Sequence, residues 1–260
     1  MIRDLSELET SPEYIVCITK AIDLESILPL FKDVVTDKTT IVIIQNGVGN
    51  EDPFRSAYPQ CTIISCVAWI GAKQDEPGVI KHFAIENTMM GVFPTPDIED
   101  ALEKERLDRF AGLLKDGQTP VAVEDDVQVK RWEKCIWNAA WNSSSAIAQI
   151  TSQEWIHSSD EAITTLKDLM HEMVQVAKAC GLDMDNEIPD KFMERMSNLQ
   201  AVYGSMYADL MNGRPLEVEV LLGTPMRKAR ELGVGAPVLN TFYSITKAID
   251  VRLRKAKQSQ

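Results

Sequence analysis

TTIVIIQNGVGNED, residues 39–52, decides the fold class. Ile41, Val42, Ile43 and Ile44 follow one another without a polar break, the pattern of a parallel strand buried on both faces. The run ends in Gln45-Asn46-Gly47, a turn, and a short helix is expected from Glu51 to Tyr58. Strand, turn and helix in so few residues are the repeating unit of an α/β sheet. The turn resembles the glycine-rich dinucleotide fingerprint only superficially. Asp52 stands at the third glycine position and the strand comes second in its series, so the pyrophosphate loop is not assigned here. Asn46 ends the strand, where ligands of open α/β sheets bind, although a turn asparagine with positive φ reads the same way.

Outward from this stretch, the first half of the chain keeps alternating. YIVCIT (14–19) is a strand, and Asp23 to Lys32 has helical spacing of Leu24, Ile27, Leu28 and Phe31. CTIISCVAWIG (61–71) is a further strand, VIKHFAI (79–85) and MMGVF (89–93) are extended, Asp100 to Leu114 is a helix, and VAVEDD (121–126) is a last strand. Parallel pairing is expected to about residue 123, with antiparallel additions near the end.

Helical periodicity then takes over. Asp126 can cap a helix running to Ile150, and Asp160 starts another with Ile163, Leu166, Met170, Met173, Val174 and Ala177 on one face. A third helix is expected from Pro189 to Asn212, with Met193, Met196, Val202, Met206 and Leu210 inward. A fourth is expected over 216–232 and a last from Pro237. The boundary between the halves falls at residues 123–127, giving an α/β domain over 1–124 and an all-α domain over 125–260.

The chain has 260 residues, 45% apolar and 25% charged, with 39 acidic against 27 basic side chains and a formal charge of −12. These fractions exclude a disordered or collagen-like chain. The acidic balance argues against nucleic acid or an anionic membrane as partner, and no apolar run is long enough to span a bilayer. MIRDLSELET lacks the basic and apolar regions of a secretory leader, and five cysteines without a C-x-x-C pair read as buried thiols of a reducing compartment. A cytoplasmic location is therefore expected. The three histidines are scattered, without zinc-ligand spacing, so no metal is assigned.

WEKCIWNAAWNSSSAIA, residues 132–148, carries the chemistry. On a helix Lys134, Asn138 and Asn142 are spaced i, i+4, i+8 and share one face. A lysine and two amides among Trp132, Ile136, Trp137 and Trp141 are costly unless something polar meets them. A hydrogen-bonded seam between helices would satisfy them. So would a substrate oxygen, met by a lysine whose pKa burial lowers and oriented by the amides. Cys135 beside Lys134 is set aside as a nucleophile, because neighbours in a helix do not face each other. Glu217 and Glu219, near Arg214, would by default be surface charges at a helix start.

TKAID (19–23), QNGVGNE (45–51), WIGAKQDEPGVIKH (69–82), EKCIWNAAWN (133–142), SMYADL (205–210) and GRPLEVEVLLG (213–223) together resemble the successive motifs of the ketopantoate reductases. Those are NADPH-dependent oxidoreductases, the 2-dehydropantoate 2-reductases. The resemblance implies a Rossmann-type parallel sheet followed by a helical domain like that of 6-phosphogluconate dehydrogenase. It implies that Lys134 is the general acid for a 2-keto acid substrate, with Asn138, Asn142 and Ser205 holding the substrate. Asn46 would meet substrate and nicotinamide ribose, while Lys20, the Ala72 backbone and Glu217 would meet the cofactor, Glu217 in preference to Glu219. A homodimer is compatible with it.

Several positions depart from the family pattern. The family opens with a strand, a G-x-G-x-x-G loop and a helix, so a first βαβ unit of about 30 residues is expected to be missing here. That leaves the sheet incomplete, NADPH binding without its glycine loop, and the strand YIVCIT with an open edge prone to self-association. Ser143 and Ser152 replace a proline and a substrate-binding asparagine, which makes another 2-keto acid or a bulkier ketone compatible. Pro225 predicts a kink. The alternative reading is a non-catalytic paralogue kept as a binding or dimerisation module.

Overall fold

The computed structural model describes residues 5–258; Met1–Asp4 and Ser259–Gln260, included in the two domains above, lie outside it. Five strands form one sheet in the order β1-β2-β3-β4-β5: β1 (Tyr14–Cys17), β2 (Thr40–Ile44), β3 (Thr62–Glu76), β4 (Val79–Phe93) and β5 (Val121–Val123). β1 runs parallel to β2, β2 to β3 and β4 to β5, whereas β3 and β4 form an antiparallel hairpin. The two extended segments expected at 79–85 and 89–93 are one continuous strand.

Alternation along the strands sorts the core into two layers. Ile41, Ile43 and Ile63 point to the face covered by Phe54 and Tyr58, with Leu24, Ile27 and Phe31 packed around them. These come from α1 (Leu24–Ile27), the 3₁₀ turn Leu28–Phe31 and α2 (Glu51–Ala57). Val42, Ile64, Cys66 and Met90 point the other way, onto Leu107, Phe110 and Ala111 of α3 (Asp100–Asp116). Ile41, Val42 and Ile43 are completely buried because both faces are covered, which is why β2 carries no polar alternation. The helix expected over 23–32 breaks into α1 and a 3₁₀ turn, since Pro29 has no N–H with which to continue the ladder.

The helical part begins with α4 (Val127–Ala148), whose start is capped by Asp126 Oδ1 accepting the Gln128 N–H at 3.0 Å. α5 (Ser152–Ile156) starts on a capping box, Thr151 with Glu154, and α6 (Asp160–Ala179) on Ser159. Then follow α7 (Ile188–Ser197), α8 (Ser205–Met211), α9 (Thr224–Glu231) and α10 (Pro237–Gln258). Met170, Met173, Met193, Met196 and Met206 are all buried in its core.

The single helix expected from Pro189 to Asn212 is in fact α7 and α8, separated by residues 198–204. Competing hydrogen bonds explain the break. The Gln153 side chain donates to the carbonyls of Met196 (3.2 Å) and Leu199 (3.0 Å) and accepts from the Val202 N–H at 3.2 Å. The Ser152 N–H takes the Val202 carbonyl at 3.1 Å. Val202, expected to face inward, is accordingly 43% exposed.

Two compact units account for the packing: residues up to Gln45 with Gly49–Arg131, and Asn46–Val48 with the chain from Trp132 onward. The division falls inside α4, between Arg131 and Trp132, whereas the change in periodicity places the boundary at 124/125.

Candidate active site

The buried end of α4 is unusually polar. Asn138 is 8% and Asn142 7% exposed, on the same face as the half-buried Lys134, and Ser143, Ser144 and Ser145 are completely buried. The serines satisfy themselves within the helix: Ser143 Oγ donates to the Ala139 carbonyl, Ser144 to Trp141 and Ser145 to Asn142. Asn142 Nδ2 donates to Ser205 Oγ at 3.2 Å, which joins the amide to the first residue of α8. Gly204 permits that approach, because a Cβ there would lie 2.5 Å from Asn142 Oδ1. Among the described residues the Asn138 side chain has no hydrogen-bond partner, and although the residue is largely buried its amide atoms are not fully enclosed, so they are open to water or a ligand. Trp137 flanks this face, edge-on to Phe192 at 5.3 Å and under the Arg195 guanidinium at 4.8 Å.

Asn46 and Glu217, 171 positions apart, meet in the same unit, with Asn46 Nδ2 donating to Glu217 Oε2 at 3.3 Å. Glu217 is 6% exposed and its backbone is anchored next door, where the buried Asp250 accepts the Leu216 N–H at 2.9 Å. Glu219 lies elsewhere, in an ion-pair cluster with Arg227 (2.5 Å) and Lys247 (2.9 Å). Burial pushes its carboxyl up, but those two cations outweigh burial and hold it below the ordinary glutamate value. Asn46 does not adopt positive φ; the left-handed residues here are Gly47, at φ 90°, and Gly49, at φ 79°.

The kink expected at Pro225 takes a definite form. Glu219–Gly223 is a π-helical turn leading straight into α9, in which the Thr224 N–H bonds the Glu219 carbonyl. The Val220 carbonyl accepts the Val48 N–H at 3.0 Å, and the Cys135 thiol lies 3.4 Å from the Leu221 carbonyl. A Cβ at Gly47 would sit 2.5 Å from Val220 Cβ. The glycine therefore serves close packing on the π turn, and the Val48 amide is engaged there.

Two further candidates belong to the other unit. Lys20 is exposed in the segment following β1, and Ala72 is exposed on β3 opposite His82, beside register irregularities at Ile70/Gly71 and Gly71/Ala72. That unit also holds a feature the sequence reading missed. Arg131 and Glu51, 2% and 1% exposed, pair at 2.8 Å. Arg131 also donates to Ser65 Oγ, the Gln45 carbonyl and the Cys66 carbonyl, while Ser65 and Gln128 donate to Glu51. Burial raises the Glu51 carboxyl, but Arg131, Ser65 and Gln128 together lower it below the usual range. Its only trace in the sequence is a second basic residue three positions before Lys134.

All five cysteines are free, and burial pushes Cys17 and Cys61 up to about 11 and Cys66 to about 12, so these stay protonated. Cys180, expected to be buried like the others, is exposed. Among the described residues no cluster of His, Cys, Asp or Glu could hold a metal ion, and no helix is long and apolar enough to cross a membrane. An open depression of ≈ 520 Å³ bordered by Asp37, Gln60 and Arg106 contains none of the candidate residues.

A nicotinamide cofactor fits these residues in part. The Glu217 carboxylate and the Asn46 amide oxygen are acceptors of the kind a ribose diol requires. The pyrophosphate finds no glycine-rich cradle among the described residues, since the one candidate turn is filled by Val220.

Comparison with known proteins follows the same division. Residues 3–95 match the family model "Ketopantoate reductase PanE/ApbA" and residues 126–250 match "Ketopantoate reductase PanE/ApbA C terminal". A 2-dehydropantoate 2-reductase of Nostoc sp. is 28% identical over 232 residues, covering 86% of this chain and 70% of the relative. The crystal structure of 2-dehydropantoate 2-reductase from Methylococcus capsulatus superposes with a TM-score of 0.86 at 29% identity, over 97% of this chain and 79% of that one. A ternary structure of D-mandelate dehydrogenase with NADH and anilino(oxo)acetate shares the fold at 22% identity and a TM-score of 0.81, over 96% of this chain and 80% of that one. With its α/β sheet, its helical C-terminal domain and family matches over both, the chain belongs to the ketopantoate reductase family.

Proposed function

We propose that this chain acts as a reductase of 2-keto acids in the manner of 2-dehydropantoate 2-reductase, with NADPH as reductant and Lys134 as proton donor. The observation that carries the reading is Asn138, a largely buried residue whose amide has no hydrogen-bond partner among the described residues, on the face of α4 that also bears Lys134 and the Asn142–Ser205 pair. In this reading Asn138 and Asn142 donate to the substrate's carboxylate and Ser205 to its hydroxyl, and so orient the carbonyl. The Lys134 ammonium bonds the carbonyl oxygen, stabilises the negative charge that builds there, and hands over its proton. A reduced nicotinamide, when bound, supplies the hydride to the carbonyl carbon. Asn46 and Glu217 take the nicotinamide ribose, Asn46 also meeting the substrate, while Lys20 and the Ala72 backbone contribute to cofactor binding. Support comes from the family matches over both halves and from the NADH complex of a protein with this fold.

The test is titration with NADPH and NADH by fluorescence, followed by turnover of 2-dehydropantoate and of a panel of larger 2-keto acids. Lys134→Ala is expected to lower turnover by about 10²- to 10⁴-fold, the ordinary weight of a general acid, with cofactor affinity retained. Absence of cofactor binding at millimolar concentration would overturn the reading in favour of a non-catalytic binding module.

A further inference from the structure

We propose that Pro225 is a positioning residue: by having no N–H to offer the Val220 carbonyl, it reserves that carbonyl for Val48 and so holds the turn that carries Asn46 against Glu217. In the π turn the hydrogen-bond ladder runs from residue i+5 to residue i, and Thr224 N–H to Glu219 O is its last rung. The next donor in that spacing is residue 225, whose acceptor is Val220. In ordinary α spacing the same residue would serve Leu221. Proline serves neither, so neither carbonyl can receive an N–H from residue 225.

Both are met from outside the helix. The Val48 N–H reaches Val220 O at 3.0 Å, and the Cys135 thiol lies 3.4 Å from Leu221 O and, more distantly, 3.7 Å from Val220 O. The Val48 contact also depends on Gly47, whose backbone sits where any side chain would strike Val220 Cβ at 2.5 Å and Val220 O at 2.6 Å. A bare carbonyl on one side and a bare α-carbon on the other are thus both required. Asn46 follows as the residue next to Gly47, while Glu217 is set from its own side through Leu216 N–H and Asp250. The bland account of Pro225 is a favoured first-turn residue of α9, which predicts no effect at Val48. The positioning role rests on the reading above, in which Asn46 and Glu217 meet cofactor or substrate.

Pro225→Ala restores the missing donor with a residue that suits a helix. Amide hydrogen exchange at Val48, the thermal midpoint, NADPH affinity and KM against kcat are measured on the full chain. The restored N–H competes with Val48 for Val220 O, so Val48 is expected to exchange about fivefold faster or more, the loss of roughly one net hydrogen bond. NADPH affinity or the KM for the keto acid is expected to weaken by a similar factor, with kcat nearly kept and the melting transition intact. Gly47→Ala, which attacks the contact from the opposite side, is expected to loosen Val48 and weaken affinity likewise, with a lower thermal midpoint because the residue sits at φ 90° and its methyl would strike Val220. Unchanged Val48 exchange in a folded Pro225→Ala protein overturns the proposal, as does faster exchange without any change in affinity or KM. If the unaltered chain neither binds NADPH nor reduces a 2-keto acid, the functional reading fails, while Val48 exchange still decides whether Pro225 holds the turn.

Discussion

Removing the Glu51 carboxylate deprives a buried cation of its ion-pair partner at 2.8 Å, and the cost can be worked from its surroundings. Arg131 is 2% exposed and contacts Glu51, Ser65 and two backbone carbonyls, those of Gln45 and Cys66. In Glu51→Ala the carbonyl bonds remain, but the counter-charge Glu51 supplies at 2.8 Å is lost to a side chain only 2% exposed. Breaking a buried pair in this way costs about 3–5 kcal/mol. The retained carbonyls favour the lower end, about 3 kcal/mol, or a fall in melting temperature of about 6–12 °C for a chain of this size. Urea unfolding followed by circular dichroism and tryptophan fluorescence measures it; of the five tryptophans only Trp69 lies in the sheet-containing unit, so the two probes weight the units differently. The companion Glu51→Leu/Arg131→Met removes both charges and is expected to recover most of the loss. The reasoning is refuted if Glu51→Ala costs less than about 1 kcal/mol, the scale of an exposed pair, or if the double variant loses the sum of two single losses.

The same carboxylate sets an acid limit. Its folded pKa lies below the unfolded one of about 4.3, so its stabilisation is complete above that value and is lost as pH falls through the lower folded value; Glu51→Ala should flatten the acid limb of a stability–pH curve. Gly204→Ala drives a methyl to 2.5 Å from Asn142 Oδ1 at an otherwise ordinary backbone conformation. Overpacking of about 1–3 kcal/mol and a raised KM are expected, read by melting and by initial rates. Ser205→Ala removes one neutral hydrogen bond to Asn142 and should raise KM by about five- to tenfold with little effect on stability, since Ser205 is exposed. β1 pairs only with β2 among the described residues, and Val16 and Ile18 are 40% and 68% exposed, so gel filtration should show concentration-dependent association; a clean monomer at high concentration would count against it.

What could be read from the chain alone follows from how locally each feature is encoded. β2 was legible because burial on both faces leaves a direct imprint, four apolar residues in a row. The lysine and amides of α4 were legible because helical spacing aligns them whatever the rest of the fold does. The Thr151–Glu154 capping box was equally local, yet its five-residue helix was passed over. Features made by distant residues were not accessible in this way. Glu51 and Arg131 lie eighty positions apart, and either alone reads as a surface charge. The interruption between α7 and α8 depends on the Gln153 side chain competing for backbone groups some forty residues away, which no periodicity records. Pro225 announced a break, but the contacts of Val48 and Cys135 with the Val220 and Leu221 carbonyls emerge only once the chain is folded.

The β3–β4 hairpin outruns the sheet that supports it. β2 pairs with β3 only along Thr62–Cys66 and β5 with β4 only along Thr88–Met90, so farther out no third strand joins it among the described residues. A ribbon two strands wide is marginal by itself, and three breaks in register weaken it further. Ala72 stands on that ribbon. A ligand that leans on its backbone must first quiet a segment whose own opening takes little free energy, and this ordering cost is subtracted from the ligand's grip. Substitutions along the ribbon, at Gly71 for instance, can then tune how long such a ligand stays without ever touching it.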